Sequence, residues 1–165
     1  MQDLKRITQP ELDLLIEKHE QWLATNEKEG EKLFLQCVDL RHADLSCAKL
    51  IDSDLTNATL IEADLKRAFL SGINLTNADL RYANLLDVNL SYVDLTGAEL
   101  SWASTQGIRG LEMYSIDNIG SFKGKVTYLP KYNKVFAGCW EGNLEEFLKK
   151  GLEMNEGDNS VPTLY

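Results

Sequence analysis

Leu35-Gln36-Cys37-Val38-Asp39-Leu40-Arg41-His42-Ala43-Asp44-Leu45 opens a stretch in which every fifth residue is leucine. The series is Leu35, Leu40, Leu45, Leu50, Leu55, Leu60, Leu65, Leu70, Leu75, Leu80, Leu85, Leu90, Leu95 and Leu100. Two residues before each leucine stands a small or apolar residue. Ala43, Ala48, Ala58, Ala63, Ala68, Ala78, Ala83 and Ala98 are the small ones, Leu33, Val38, Ile73, Val88 and Val93 the larger, and Ser53 the one polar member. Asp or Asn recurs directly before leucine, as at Asp44, Asp64, Asn74, Asp79 and Asp94. A period of five fits neither common element. On a helix, successive leucines would fall about 140° apart and scatter around the axis. On a flat strand, an odd step sends them to alternate faces. A chain that turns after every five residues would instead point each leucine, and the residue two before it, into one narrow shaft. Opposite walls of such a shaft are close, which accounts for the alanines. Successive coils would then stack at the inter-strand spacing of ~4.8 Å.

The motif A-[DN]-L-x-x, seen at Ala43-Asp44-Leu45, Ala63-Asp64-Leu65, Ala78-Asp79-Leu80 and Ala83-Asn84-Leu85, resembles the pentapeptide repeat proteins. That resemblance implies a mainly β fold: a right-handed quadrilateral β-helix, four five-residue sides closing each coil of about twenty residues. The repeats at 33–104 would then form about 3.6 coils, or ~17 Å of stack, in a β-helix domain bounded at 33–110. The family shares an architecture and not a role. It includes fluoroquinolone-resistance proteins that mimic DNA, type III effectors and regulators of cyanobacterial differentiation, so the fold does not supply the function.

Outside the repeats the chain predicts caps. Residues 1–32 form an N-terminal helical cap, with an amphipathic helix over 8–25. Thr8 and Glu11 make a capping box, and Pro10 is tolerated in the first turn. Leu12, Leu15, Ile16, His19, Trp22 and Leu23 share one face, and His19 is expected to pack against the coil. The helix precedes the first repeat directly, where a solenoid's open edge needs cover. Its His19-Glu20-Gln21-Trp22-Leu23 is similar to a helix found before the repeats in many bacterial members of the family. The repeat is expected to fail at Thr105, with Ile108 holding the inward phase once more. Residues 111–154 form a C-terminal cap: a connector at 115–123 with Gly120, strands at 125–129 and 135–137 around a Pro130-Lys131-Tyr132-Asn133 turn, and a helix capped by Asn143 and interrupted at Gly151. Gly138-Cys139-Trp140 with Leu144-Glu145-Glu146-Phe147 is similar to an extension on some bacterial and phage members. Residues 155–165 read as a flexible tail.

Charge and composition narrow the function. The net charge is −9, and acids exceed bases in residues 1–32, 33–104 and 105–165 alike. An acidic chain without a basic patch is a poor binder of phosphate backbones, so no direct nucleic-acid binding is expected. No apolar run is long enough to span a membrane. Three cysteines without a signal-peptide core point to reduced thiols in a cytoplasm. Cys37, His42 and Cys47 have tempting ligand chemistry, but a spacing of five puts them on successive sides of the coil, pointing away from one another. Cys139 with His19 or His42 as a nucleophile pair has no supporting motif. Phosphate loops, HExxH and nucleophile elbows are missing from the sequence. No cofactor, no metal and no enzymatic activity are expected.

Interaction readings remain. Residues twenty apart stack, so Thr56, Thr76 and Thr96 form a ladder below Gln36, and Asn57 and Asn77 another between Cys37 and Gly97. One outward column holds His42, Glu62, Tyr82 and Trp102, with Arg41 and Arg81 directly before two of them. Tyr, Trp and Arg dominate binding hot spots, so Arg41, Glu62, Arg81, Tyr82 and Trp102 form the candidate site for a protein partner. Phe69 and Tyr92 add outward aromatics on other columns. The competing surface is the acidic wall of Asp39, Asp44, Asp64, Asp79 and Glu99, which would serve DNA mimicry toward a topoisomerase such as gyrase or another DNA-binding enzyme. About ten negative charges belong to ~17 Å of B-DNA. The repeats carry ten acids offset by five bases, half that net density. The chain is expected to be a monomer or a dimer through an end cap.

Overall fold

The computed structural model describes residues 4–119, 124–138 and 140–155. Gly120, Cys139 and the 156–165 tail lie outside the described residues. Two compact units divide the chain, Met1–Glu112 and Met113–Tyr165.

In the first unit, parallel bridges join residues twenty apart in four columns. They run Phe34–Asp54–Asn74–Asp94, Asp39–Thr59–Asp79–Glu99, Asp44–Asp64–Asn84–Ser104 and Lys49–Phe69–Asn89–Arg109. Four columns five residues apart make a four-sided coil. Each rung is bonded up and down: Leu60 N–H donates to Asp79 O at 2.7 Å, and Thr59 N–H to Val38 O at 3.0 Å. The fourteen leucines are no more than 3 % exposed. At ~2 kcal/mol each they supply much of the gross hydrophobic stabilisation. Ser53 is buried among them and satisfies its hydroxyl on Leu50 O at 2.7 Å. Coiling outlasts the leucine signature: Thr105 is buried in the leucine position, and Asn89 still bridges Arg109. A β-branched threonine keeps the side in place where the apolar pattern has stopped.

The corners share one conformation. The residue two after each leucine has positive φ throughout the series, from Cys37 (+55°) through Tyr82 (+61°) and Tyr92 (+62°) to Trp102 (+65°), with glycine at 72, 97 and 107. The amide that follows donates back across the corner, as Ala43 N–H does to Leu40 O at 3.1 Å. A positive φ at the third residue with that bond is the signature of a type II turn.

The N-terminal segment meets the lower edge of the first coil. A two-residue strand, β1 (Lys5–Arg6), unforeseen in the sequence, pairs in parallel with β2 (Val38–Asp39). Helix α1 (Gln9–Ala24) follows, with the Thr8–Glu11 capping box formed. Two of its side chains replace missing strand groups. Asp64, one coil up, bonds to Ala43 O and to Leu45 N–H. Asp44 has no coil below it, and the Gln9 amide accepts from its N–H at 3.0 Å and donates to its C=O at 2.8 Å. Likewise Ser71 O accepts from Asp52 N–H, whereas Ile51 O accepts from His19 Nε2–H at 2.9 Å. The same ring accepts from Leu33 N–H through Nδ1 at 3.2 Å. The chain returns along the helix with Glu31 N–H on Lys18 O, close enough that a Cβ on Gly30 (φ +80°) would overlap Lys18 O.

The second unit is a four-stranded antiparallel sheet in the order β3 (Tyr114–Ile119), β4 (Gly124–Leu129), β5 (Lys134–Ala137), β6 (Trp140–Gly142). The expected connector over 115–123 is therefore mostly strand β3. Its pairing with β4, which sets Ser115 against Thr127, overrides the turn-rich composition. Leu129, Val135 and Phe136 are buried. A 3-10 turn at Pro130–Tyr132 and left-handed Asn133 join β4 to β5. Helix α2 (Leu144–Asn155) starts at an Asn143–Glu146 capping box and continues through Gly151, where the sequence suggested an interruption. One glycine costs a helix only about 1 kcal/mol, too little to end it.

Candidate functional site

Each repeat sends its residue at the left-handed corner position outward, so four coils align His42, Glu62, Tyr82 and Trp102 along one corner. The column resolves into two pairs. His42 Nδ1 lies 3.3 Å from Glu62 Oε2. The rings of Tyr82 and Trp102 are stacked 6.4 Å between centroids and 4° from parallel. Tyr82 is 53 % exposed and Trp102 37 %. Parallel, offset rings at this separation lie within the favourable range for aromatic pairs. Both rings stand on backbone that a bulky residue enters only at a cost of roughly 1–2 kcal/mol.

The arginines beside this column are not free cations. Arg41 Nε and Nη2 reach Asp39 at 2.9 and 2.6 Å, and Arg81 makes the same fork on Asp79 at 2.8 and 2.6 Å. The spacing Asp-Leu-Arg explains it, because the carboxylate accepts from the amide two residues on, at 3.1 Å from Arg41 and 3.2 Å from Arg81, which holds the arginine beside it. The forked bond from Arg41 is the largest influence on Asp39, holding its carboxyl down at about 2. Asp79 in turn raises the Arg81 guanidinium further above its ordinary value. The corner is thus an aromatic pair beside two neutralised ion pairs, with a histidine–glutamate pair below.

The pentapeptide repeats family model matches residues 35–72 and 70–104, as eight copies of the repeat. Residues 35–104 belong to the pentapeptide repeat family. Similar solved structures carry the same description. A pentapeptide repeat protein from the Arabidopsis thaliana thylakoid lumen is 29% identical, over 47% of this chain and 51% of its own, with a TM-score of 0.35. One from the cyanobacterium Cyanothece 51142, Rfr23, is 36% identical over 46% and 55%, with a TM-score of 0.33. A third, from Nostoc Pcc 7120, is 26% identical over 67% and 93%, with a TM-score of 0.31. The chain spans about half the length of the first two. No curated protein matches it. The assignment rests on the repeats themselves.

Within the pentapeptide repeats, the Asp and Asn residues before leucine are engaged with backbone. Asp44, Asp54, Asp64, Asn74, Asn84, Asn89 and Asp94 each accept from the amide two residues on, at 2.9–3.3 Å. These are Asx-type turns that brace the corners. Bonds from the Ser46 hydroxyl and amide hold the Asp44 carboxyl below its usual range. The threonine ladder is bonded sideways: Thr56, Thr76 and Thr96 hydroxyls donate at 2.6 Å to Asp54, Asn74 and Asp94 of their own repeats. The asparagine ladder is bonded coil to coil, Asn77 Nδ2 to Asn57 Oδ1 at 3.3 Å. Tyr92 and Phe69 are 91 % and 53 % exposed, on columns other than the Tyr82–Trp102 corner. Among the described residues no cluster of three or more His, Cys, Asp or Glu could hold a metal, and no helix is long and apolar enough to cross a membrane.

Gln9, the left-handed corners and the Asp–Arg forks escaped the sequence reading. Two of the three had a signal. The corner position is rich in residues that tolerate positive φ, namely Asp52, Asn57, Gly72, Asn77, Asp87, Gly97 and Gly107. The forks are foreshadowed by Asp-Leu-Arg occurring twice, forty residues apart. Gln9 had none, since its partner is backbone 35 residues away.

Proposed function

We propose that this chain is a non-enzymatic scaffold that docks another protein on the corner carrying Arg41, Glu62, Arg81, Tyr82 and Trp102. One observation carries the reading: two stacked, solvent-exposed aromatics occupy backbone positions where Gly, Asn or Asp would be less strained. Strain kept at an exposed site invites a functional explanation. A solenoid wall is rigid, so little ordering entropy is lost on association. Because Asp39 and Asp79 already neutralise Arg41 and Arg81, the corner's contribution is aromatic before it is ionic. The same forks count against DNA mimicry, which needs carboxylates free of counter-charge.

Affinity capture from the source organism's lysate tests this, with wild type, Tyr82→Ala/Trp102→Ala and Asp64→Asn/Asp79→Asn as baits between about 0.1 and 1 M salt. The Debye length shrinks over that range from ~10 to ~3 Å. A partner lost with the aromatic pair and kept at high salt fits the proposal. A partner held equally by the aromatic double variant removes it, and one lost with the acids or with salt transfers the site to the acidic wall.

A further inference from the structure

The contact between α1 and the first coil is built around one titratable ring. His19 is fully buried, stacked on Trp22 at 5.5 Å, and fixed as the Nε2–H tautomer by its two bonds. Nε2–H donates to Ile51 O, and Nδ1 accepts from Leu33 N–H. A second proton has one place to go, Nδ1, where it would face the Leu33 N–H donor. The charged groups around the ring are Lys32 on the segment between helix and coil, Asp52 on the coil and Glu20 on the helix. Burial outweighs the two acids and lowers the ring's affinity for a proton. The backbone that α1 covers is of strand type. Ile51 C=O and both groups of Asp44 are satisfied only by side chains from the N-terminal segment, whereas their counterparts Ser71 C=O and Asp64 bond to the coil below; Leu33 N–H is a corner amide whose counterpart, Ser53 N–H, bonds within its own turn to Leu50 O.

We infer that His19 makes α1 a proton-gated latch, and that mild acid releases the helix and opens the Asp44 and Ile51 part of the lower edge of the first coil, beside the part paired to β1, to the same edge of a second copy of this chain. The occupant follows from the edge itself: the N–H and C=O that Asp44 presents side by side can pair in antiparallel with the same two groups of a second copy. Edge on identical edge is a two-fold, isologous contact, so the product is a closed dimer and not a filament. The sign follows from linkage. Released His19 titrates near 6.5 and docked His19 lower, so docking is at full strength above about pH 6.5. Well below that, the docked-to-released ratio falls roughly tenfold per pH unit.

The full chain is followed by NMR and sedimentation from pH 7.5 to 5.0, as wild type, His19→Gln and His42→Asn. Glutamine keeps a donor and an acceptor and cannot titrate. Wild type and His42→Asn are expected to move together, with the Leu33 amide shifting along the His19 ring titration and a dimer appearing below pH 6. His19→Gln should stay docked and monomeric throughout. The inference fails if His19→Gln releases over the same range, if wild type stays docked at pH 5.0, or if released wild type remains monomeric. Should His19→Gln not dock even at pH 7.5, the wild-type ring decides. A midpoint below 6.5 that coincides with the Leu33 shift and dimer formation sustains the latch, and any other result overturns it.

Discussion

Tyr92→Asn should make the protein more stable. Tyr92 sits at φ +62° and is 91 % exposed, so its side chain contributes almost no burial to lose. A bulky residue in the left-handed region costs roughly 1–2 kcal/mol, and asparagine, which populates that region readily, less. The expected gain is about 1 kcal/mol, measurable as a shift in the urea midpoint at unchanged slope, monitored by β-type circular dichroism. Tyr82→Asn is the internal comparison. It removes the same backbone cost at φ +61° but also the stack on Trp102, worth ~0.5–1.5 kcal/mol, so it should be close to neutral. Y92N should therefore exceed Y82N by about 1 kcal/mol. A Y92N protein no more stable than wild type would refute the idea that the corners hold their aromatics under strain, and would remove the main support for the aromatic corner as a binding site.

Leu80→Lys should abolish folding of the coil, because Leu80 is fully buried and an ammonium there would have no counter-charge; a soluble variant with unchanged β-type dichroism would refute the inward placement. Asp39→Asn should weaken the acid limb of the stability curve. The folded carboxyl titrates at about 2 against 3.8, so its contribution is present above pH 3.8 and lost as pH falls toward 2, and the variant's acid unfolding curve should flatten in that window. Gln9→Leu keeps the bulk and removes both bonds to Asp44; about 1–2 kcal/mol should be lost, seen as faster hydrogen exchange of the Asp44 amide with the coil core unaffected.

What the sequence made legible was the shaft. Fourteen leucines at a period incompatible with helix or flat strand leave one solution, and Thr8 with Glu11 marked the helix start because capping is local chemistry. The features that stayed hidden depend on distant backbone or on short elements. Lys5–Arg6 is a strand only because Val38–Asp39 lies beside it, and two residues hold no periodicity. Residues 115–119 look like connector in composition and become strand β3 by pairing with β4. His19 falls on the coil-facing side of its helix, but an amphipathic stripe does not say that its ring would bond the Leu33 amide and the Ile51 carbonyl at the foot of the coil. At the candidate site, the sequence located Tyr82 and Trp102 on one corner; the arginines' commitment to Asp39 and Asp79 emerged only from side-chain geometry.

The twenty-residue register has a consequence for how such a gene can change. Removing or duplicating twenty residues takes out or adds one full turn, and every surviving outward residue stays on its own wall. Removing five keeps a leucine at every inward position, since each unit offers a leucine and a small or apolar partner, yet rotates everything downstream by one wall. Loss of one unit between Glu62 and Tyr82 would carry Tyr82 and Trp102 away from the wall of His42 and Glu62 without disturbing a core contact type. In this architecture, length polymorphism in steps of five is a means of re-dealing the surface over a constant interior.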